Sequence, residues 1–151
     1  MLLIKKERTA LHIAAYEGHV DVAKVLIQNG ADVNAVDRNK EMALHFAARY
    51  GHVDVAKVLI QNGADANAGD WREWTALHNA GFNGHVDVAK VLIQNGADVN
   101  AVEKEKWTAL CFATLGSHMP CALQLLCLVL RLTRKLWKTT GLTYLDRSKA
   151  D

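Results

Sequence analysis

The segment GHVDVAKVLIQNGAD occurs three times without a change, at 18–32, 51–65 and 84–98, and both offsets are 33 residues. TALH at 9–12 and 75–78, MALH at 42–45 and TALC at 108–111 keep the same step. A fixed period of this length means one supersecondary unit repeated, and such units are stable only when stacked. The chain therefore divides into units at 3–35, 36–68 and 69–101 and a degenerate unit at 102–134. A basic tail follows at 135–151.

Each unit reads as two short helices and a turn. Thr9 and Thr75 stand where a side-chain oxygen can cap a helix over about 10–17 in the first unit, and Gly18 ends it. A second helix spans roughly 20–29. Asp21, with Asp54 and Asp87 in the later copies, suits the positive end of its dipole. Val22, Ala23, Val25 and Leu26 give it an apolar stripe at helical spacing. Gly30 follows its last turn. ADVNAVDRNKE then has no helical period and reads as an extended turn. Two such helices cannot bury a core alone, so the expected fold is an all-α solenoid of helix pairs with projecting turns.

The 33-residue period, T-A-L-H, A-A-x-x-G-H and L-I-x-x-G-A-D-V-N-A resemble ankyrin repeats, closely over 3–116 and weakly over 117–134. The resemblance implies helix-turn-helix units with projecting β-turn or hairpin loops. It also implies that turn tips and the exposed side of each first helix line a concave face, the family's usual partner surface. The chain departs from the pattern in three ways. Ala10, Ala43, Ala76 and Ala109 replace the usual Pro after Thr. Glu7, Lys40, Glu73 and Lys106 fill a turn slot that commonly holds Gly. Met42 replaces the capping Thr of the second unit and should weaken that cap.

The copies differ in one band only. Among 18–35, 51–68 and 84–101 a single column of 18 varies (Val33, Ala66, Val99), whereas among 3–17, 36–50 and 69–83 eleven of 15 vary. Stacking constrains every copy alike, so diversity confined to one band marks a surface that faces something else. Trp71, Trp74 and Trp107 fall on its turns, and Tyr16, Tyr50 and Phe82 near the ends of first helices. Exposed Trp and Tyr are enriched at binding hot spots. Arg38, Arg49 and Arg72 add donors suited to carboxylates. These nine residues are the candidate partner-binding set. Phe46 and Phe112 follow the His-type column and read as packing residues.

The expected function is therefore a non-enzymatic module that binds a partner protein. The alternative is a self-associating scaffold. No nucleophile elbow, P-loop, HExxH or dinucleotide fingerprint is present, so no catalysis, cofactor or small-molecule substrate is expected. His12, His45 and His78, like His19, His52 and His85, recur once per unit. Equivalent residues lie about 8–10 Å apart in packed helices, too far to share a metal ion. The resemblance gives the first set a structural role instead. In similar eukaryotic repeats the Asn at 34, 67 and 100 can be hydroxylated, with Leu26, Leu59 and Leu92 eight residues before it. An Asn bonded to its own turn is the favoured reading.

A net charge of +2 gives no reason to expect nucleic acid. No apolar run is long enough to span a bilayer. The N-terminal MLLIKKER carries its charges after its apolar patch, the reverse of a secretory leader. Three Cys cannot pair fully within one chain, and the expected setting is a reducing, cytoplasmic one. Cys111, Cys121 and Cys127 read as buried thiols. After Gly116 the pattern fails, and CALQLLCLVLRL at 121–132 reads as one helix, apolar nearly all round. It should cover the end of the stack, with homo-oligomerisation through 117–134 as a possible consequence.

Overall fold

Each copy of the repeated segment folds in the same way. The computed structural model describes residues 7–116 and 118–140, with side chains through Arg131. Eight helices succeed one another: α1 (Ala10–Glu17), α2 (Val20–Gln28), α3 (Ala43–Tyr50), α4 (Val53–Gln61), α5 (Ala76–Asn83), α6 (Val86–Gln94), α7 (Ala109–Leu115) and α8 (Met119–Thr140). No strand occurs among the described residues. Within each pair the helices are antiparallel neighbours. Successive pairs stack so that α1, α3, α5 and α7 form one layer and α2, α4, α6 and α8 the other. This is an all-α repeat solenoid.

Local chemistry sets the helix ends. Thr9, Thr75 and Thr108 each accept a backbone N–H three residues on, while Met42 makes no such bond. A second cap serves the first three units: Nδ1 of His12, His45 and His78 accepts the backbone N–H of Thr9, Met42 and Thr75 at 3.0, 3.0 and 3.1 Å. The His cap is how α3 starts without its Thr. The six punctuating glycines at 18, 30, 51, 63, 84 and 96 all have positive φ, a region open to Gly at little steric cost.

The turns are tight hairpins. Asp37 N–H donates to the Glu41 carbonyl and Lys40 N–H to the Asp37 carbonyl, at 3.0 and 2.9 Å, and the same pair of bonds recurs at 70–74 and 103–107. That pattern is a three-residue loop whose last residue is left-handed. Lys40, Glu73 and Lys106 occupy that slot, with φ of 56, 67 and 68°. The turn expected of the family thus survives the loss of its Gly. Each turn is held by a buried carboxylate. Asp37 Oδ1 accepts from the N–H of Asn39 and Glu41, Asp70 Oδ1 from Arg72 and Trp74, and Glu103 Oε1 from Glu105 and Trp107.

The core runs the length of the stack. Leu11, Leu44 and Leu77, one column of the repeat, are buried, and so are Leu59, Leu92, Val55 and Val88. Each fully buried aliphatic side chain contributes about 1.5–3 kcal/mol. The Ala14, Ala47, Ala80, Ala113 column and the Ala23, Ala56, Ala89, Ala122 column keep the layers close.

Polar rungs join the pairs. His52 Nε2 donates to the Tyr16 carbonyl and His85 Nε2 to the Arg49 carbonyl, both at 3.0 Å. Asn34 and Asn67 each donate to the next unit's Gly carbonyl at 3.1 Å and accept from its Asp N–H at 2.9 and 2.7 Å. These Asn side chains therefore bridge to the following repeat. The bond within the turn itself comes from Asp32, Asp65 and Asp98.

Two further expectations are corrected here. Val22 and Val25 of the stripe are 49 and 56% exposed, because no described helix pair precedes α2. Cys111 and Cys127 are exposed, and only Cys121 is buried. α8 covers the end of the stack as expected: Cys121, Ala122 and Leu125 close the core, and its outward side is apolar too, with Met119, Leu123 and Leu126 exposed. It continues as one helix to Thr140, past the 134 boundary and into the basic tail. Residues 1–6 of the N-terminal patch, Ser117, and the tail from 141 to 151 lie outside the described residues.

Candidate functional site

The first-helix layer and the hairpin tips carry the variable residues, and the fold gathers them into three zones. At one end Tyr16, Phe46 and Tyr50 form an aromatic cluster. Tyr16 and Tyr50 meet edge to face at 4.6 Å, and Phe46 lies 6.4 Å from Tyr16, fully buried. Arg8 sits 4.4 Å over the Phe46 ring. At the other end Trp74 packs 4.5 Å from Phe112 and 5.6 Å from Phe82, and Trp107 packs 5.6 Å from Phe112.

A polar ladder separates the clusters. Arg49 pairs with Glu41, and its Nε donates to Asn79 Oδ1 at 3.2 Å. Asn79 is buried and donates to the Thr75 carbonyl; Asn83 donates to the Asn79 carbonyl. Above this ladder lies a groove of about 440 Å³, walled by Trp71, Arg72, Trp74 and Phe82 and floored by Glu41, Arg49 and Asn79. Its hairpins are tied together: Trp71 N–H donates to the Asn39 carbonyl at 3.0 Å and Lys104 N–H to the Arg72 carbonyl at 3.3 Å.

The nine candidate residues do not share one role. Trp71 is 54% exposed and Phe82 44%, with Tyr16, Tyr50 and Trp107 similarly open. Trp74 is half-buried between Phe82, Phe112 and His78, with the Arg72 guanidinium 4.5 Å above its ring. It is therefore a packing residue as well as a wall of the groove. Arg38 pairs with Glu7 at 3.0 Å, Arg49 with Glu41, and Arg72 with Asp70 at 3.3 Å. The sequence reading missed Lys104, Glu41 and Asn79. Lys104 shares a repeat column with Arg38 and Trp71, and Asn79 is the polar member of the Ile13, Phe46, Phe112 column. Those column positions were the available signal.

Buried histidines brace the turns from beneath. His12, His45 and His78 donate from Nε2 to the carbonyls of Glu41, Trp74 and Trp107 at 2.9, 3.0 and 3.1 Å. Burial pushes the His45 and His78 imidazoles below their ordinary value, against the opposing pull of acids that include Asp70 and Glu103. The fourth unit has Cys111 in this column. Its thiol lies 3.4 Å from the Thr108 hydroxyl, which holds it below the usual thiol value, whereas burial raises Cys121. Among the described residues no group of three His, Cys, Asp or Glu is placed to hold a metal ion, and no helix is long and apolar enough to cross a membrane.

Family models described as ankyrin repeats match residues 2–70 in a three-copy form, and residues 48–93 and 77–126 in a many-copy form. The chain belongs to the ankyrin repeat family. No curated protein sequence matched it. Ankyrin repeats are in general protein–protein interaction modules and typically non-enzymatic. In this ankyrin stack the helices after each Gly-His step are the invariant layer, and the hairpins with the first helices form the layer on which copies diverge.

Proposed function

We propose that this ankyrin stack is a non-enzymatic module that binds a partner protein across its hairpin tips and first-helix layer. The observation that carries the reading is the coincidence of diversity with exposure. Trp71, Phe82, Tyr16, Tyr50 and Trp107 are large and apolar, stand in varying columns, and remain between 38 and 54% exposed. Selection for stacking alone would bury them or replace them with polar residues. Their backbones are fixed, Trp71 and Trp107 by hairpin bonds and Tyr16, Tyr50 and Phe82 within helices, so little order is lost on association. A reducing, cytoplasmic setting fits the free thiols.

A photo-crosslinking residue placed at Phe82 tests the reading, with the same residue at Lys57 on the invariant layer as control. Adducts with another protein are expected from position 82 and absent from position 57. Equal trapping from both, or trapping from 57 alone, contradicts the assignment.

A second reading, self-association, is favoured by α8, where Met119, Leu123 and Leu126 are 42–58% exposed along one helix. Light scattering of the parent beside Leu123→Lys/Leu126→Lys decides it. A dimer that becomes a monomer supports it, and a parent monomer at high concentration removes it.

A further inference from the structure

The groove between the hairpin tips at 37–41 and 70–74, with Lys104 of the next tip beside it, has a chemistry narrower than "protein surface", and the inference drawn from it rests on the protein-binding reading above. Trp71 stands over half exposed beside two cations. Arg72 Cζ lies 5.6 Å and Lys104 Nζ 5.3 Å from the centre of its ring. The Arg72 guanidinium is fixed in place. It stacks 4.5 Å over Trp74 and spends Nε and Nη2 on Asp70 Oδ2 at 3.4 and 3.3 Å, yet its side chain stays 38% exposed. Lys104 makes no salt bridge among the described residues. A half-exposed indole with a held guanidinium and an ammonium both within about 6 Å of its ring centre presents an apolar surface beside positive charge.

The carboxylates nearby are not available to a ligand. Asp70, Glu41 and Glu103 are 3–4% exposed. Asp70 and Glu103 are engaged by turn N–H groups and Glu41 by Arg49. The accessible acids of these tips, Glu73 and Glu105, do not line the groove. Every arginine of the face is paired with a carboxylate, Arg8 with Asp37, Arg38 with Glu7, Arg49 with Glu41 and Arg72 with Asp70, but Arg72 alone stands beside Trp71, and its Nη1 is outside the bonds to Asp70. What remains is a local two-cation site beside an aromatic platform rather than a track of cations. That suits one or two carboxylates better than a run of phosphates. The half-buried Asn83 amide in the wall suits the backbone of an extended chain.

We propose that this groove takes an extended acidic segment of a partner protein, laying an apolar side chain against Trp71 and Phe82 and a neighbouring carboxylate on Arg72 and Lys104. At about 3.3 Å per residue, roughly three residues of such a segment cross one repeat of about 10 Å. The motif is thus short, an apolar residue with Asp or Glu within two positions of it.

The test is a displayed library of random 12-residue peptides selected on the full chain. The selected peptides are synthesised and titrated against the parent, Trp71→Ala, Phe82→Ala and Arg72→Gln/Lys104→Gln. Enrichment of Asp or Glu beside an aromatic or aliphatic residue is expected, with affinity down about tenfold or more in the double Gln variant and in Trp71→Ala. Where the double variant melts early, Lys104→Gln alone carries the comparison, with a loss of about threefold or more expected. Peptides that need Trp71 and Phe82 but carry no acid, or that ignore the Gln substitutions, overturn the acidic chemistry and leave the protein-binding reading standing. Peptides indifferent to Trp71 and Phe82, or no enrichment at all, overturn both. A thymidine oligonucleotide that binds more tightly than every selected peptide, and is lost in the Gln variants, overturns it in favour of nucleic acid.

Discussion

His45 donates from Nε2 to the carbonyl of Trp74, 3.0 Å away and 29 residues on. Its Nδ1 accepts the Met42 N–H at 3.0 Å, so the ring must be neutral to serve both ends. His78 repeats the arrangement between Thr75 and Trp107. Burial lowers both pKa values from 6.5, so the folded state binds fewer protons than the unfolded chain just below that value. Their contribution is complete above pH 6.5 and is lost as the pH falls through the folded values. Melting temperature should therefore drop between pH 7.5 and 5. A flat profile over that range would remove the neutral-His brace.

Lys40, Glu73 and Lys106 hold left-handed backbone at the hairpin tips. An L side chain there costs roughly 1–2 kcal/mol, partly offset by the greater chain entropy of Gly. Lys40→Gly, Glu73→Gly and Lys106→Gly should each stabilise by about 0.5–1 kcal/mol, read as a higher urea midpoint at constant slope. A lower midpoint would show that these side chains make compensating contacts.

Identical sequence in different surroundings gives a further test. Val25 and Val58 occupy the same position of the same repeated segment, yet Val25 is 56% exposed and Val58 8%. Val58→Ala should cost about 1–2 kcal/mol and Val25→Ala within about 0.5 kcal/mol. Equal costs would mean that the first unit is covered as fully as the second.

The two neighbouring tip indoles should separate stability from binding. Trp74→Ala removes contacts with Phe82, Phe112 and the Arg72 guanidinium and should cost about 1–3 kcal/mol. Trp71→Ala should change stability by no more than about 0.5–1 kcal/mol. Paired denaturant titrations check the order; the reverse order would reassign Trp71 to the core.

Much of this architecture was legible before any coordinates. Verbatim copies at one spacing give the helix pairs, their Thr caps and their glycine stops, because these depend on local sequence. Column comparison also located the variable face. It did not sort the residues within that face. Trp71 and Trp74 look alike in sequence, and they are separated by the rings of Phe82 and, from the next unit, Phe112 packed against Trp74. Likewise Arg49 reads as a free donor until Glu41 and Asn79, from a turn and a neighbouring helix, are seen to take it. Lys104 was missed because its significance comes from lying over Trp71, 33 residues away in sequence. Contacts between units carry that information, and a period cannot show them.

The most direct check of the account measures melting and partner retention on the same two proteins, the parent and Trp71→Ala/Phe82→Ala. The account predicts melting temperatures within about 2–4 °C of each other, with the protein trapped from position 82 retained by the parent and lost by the variant. Retention by a folded variant would contradict it.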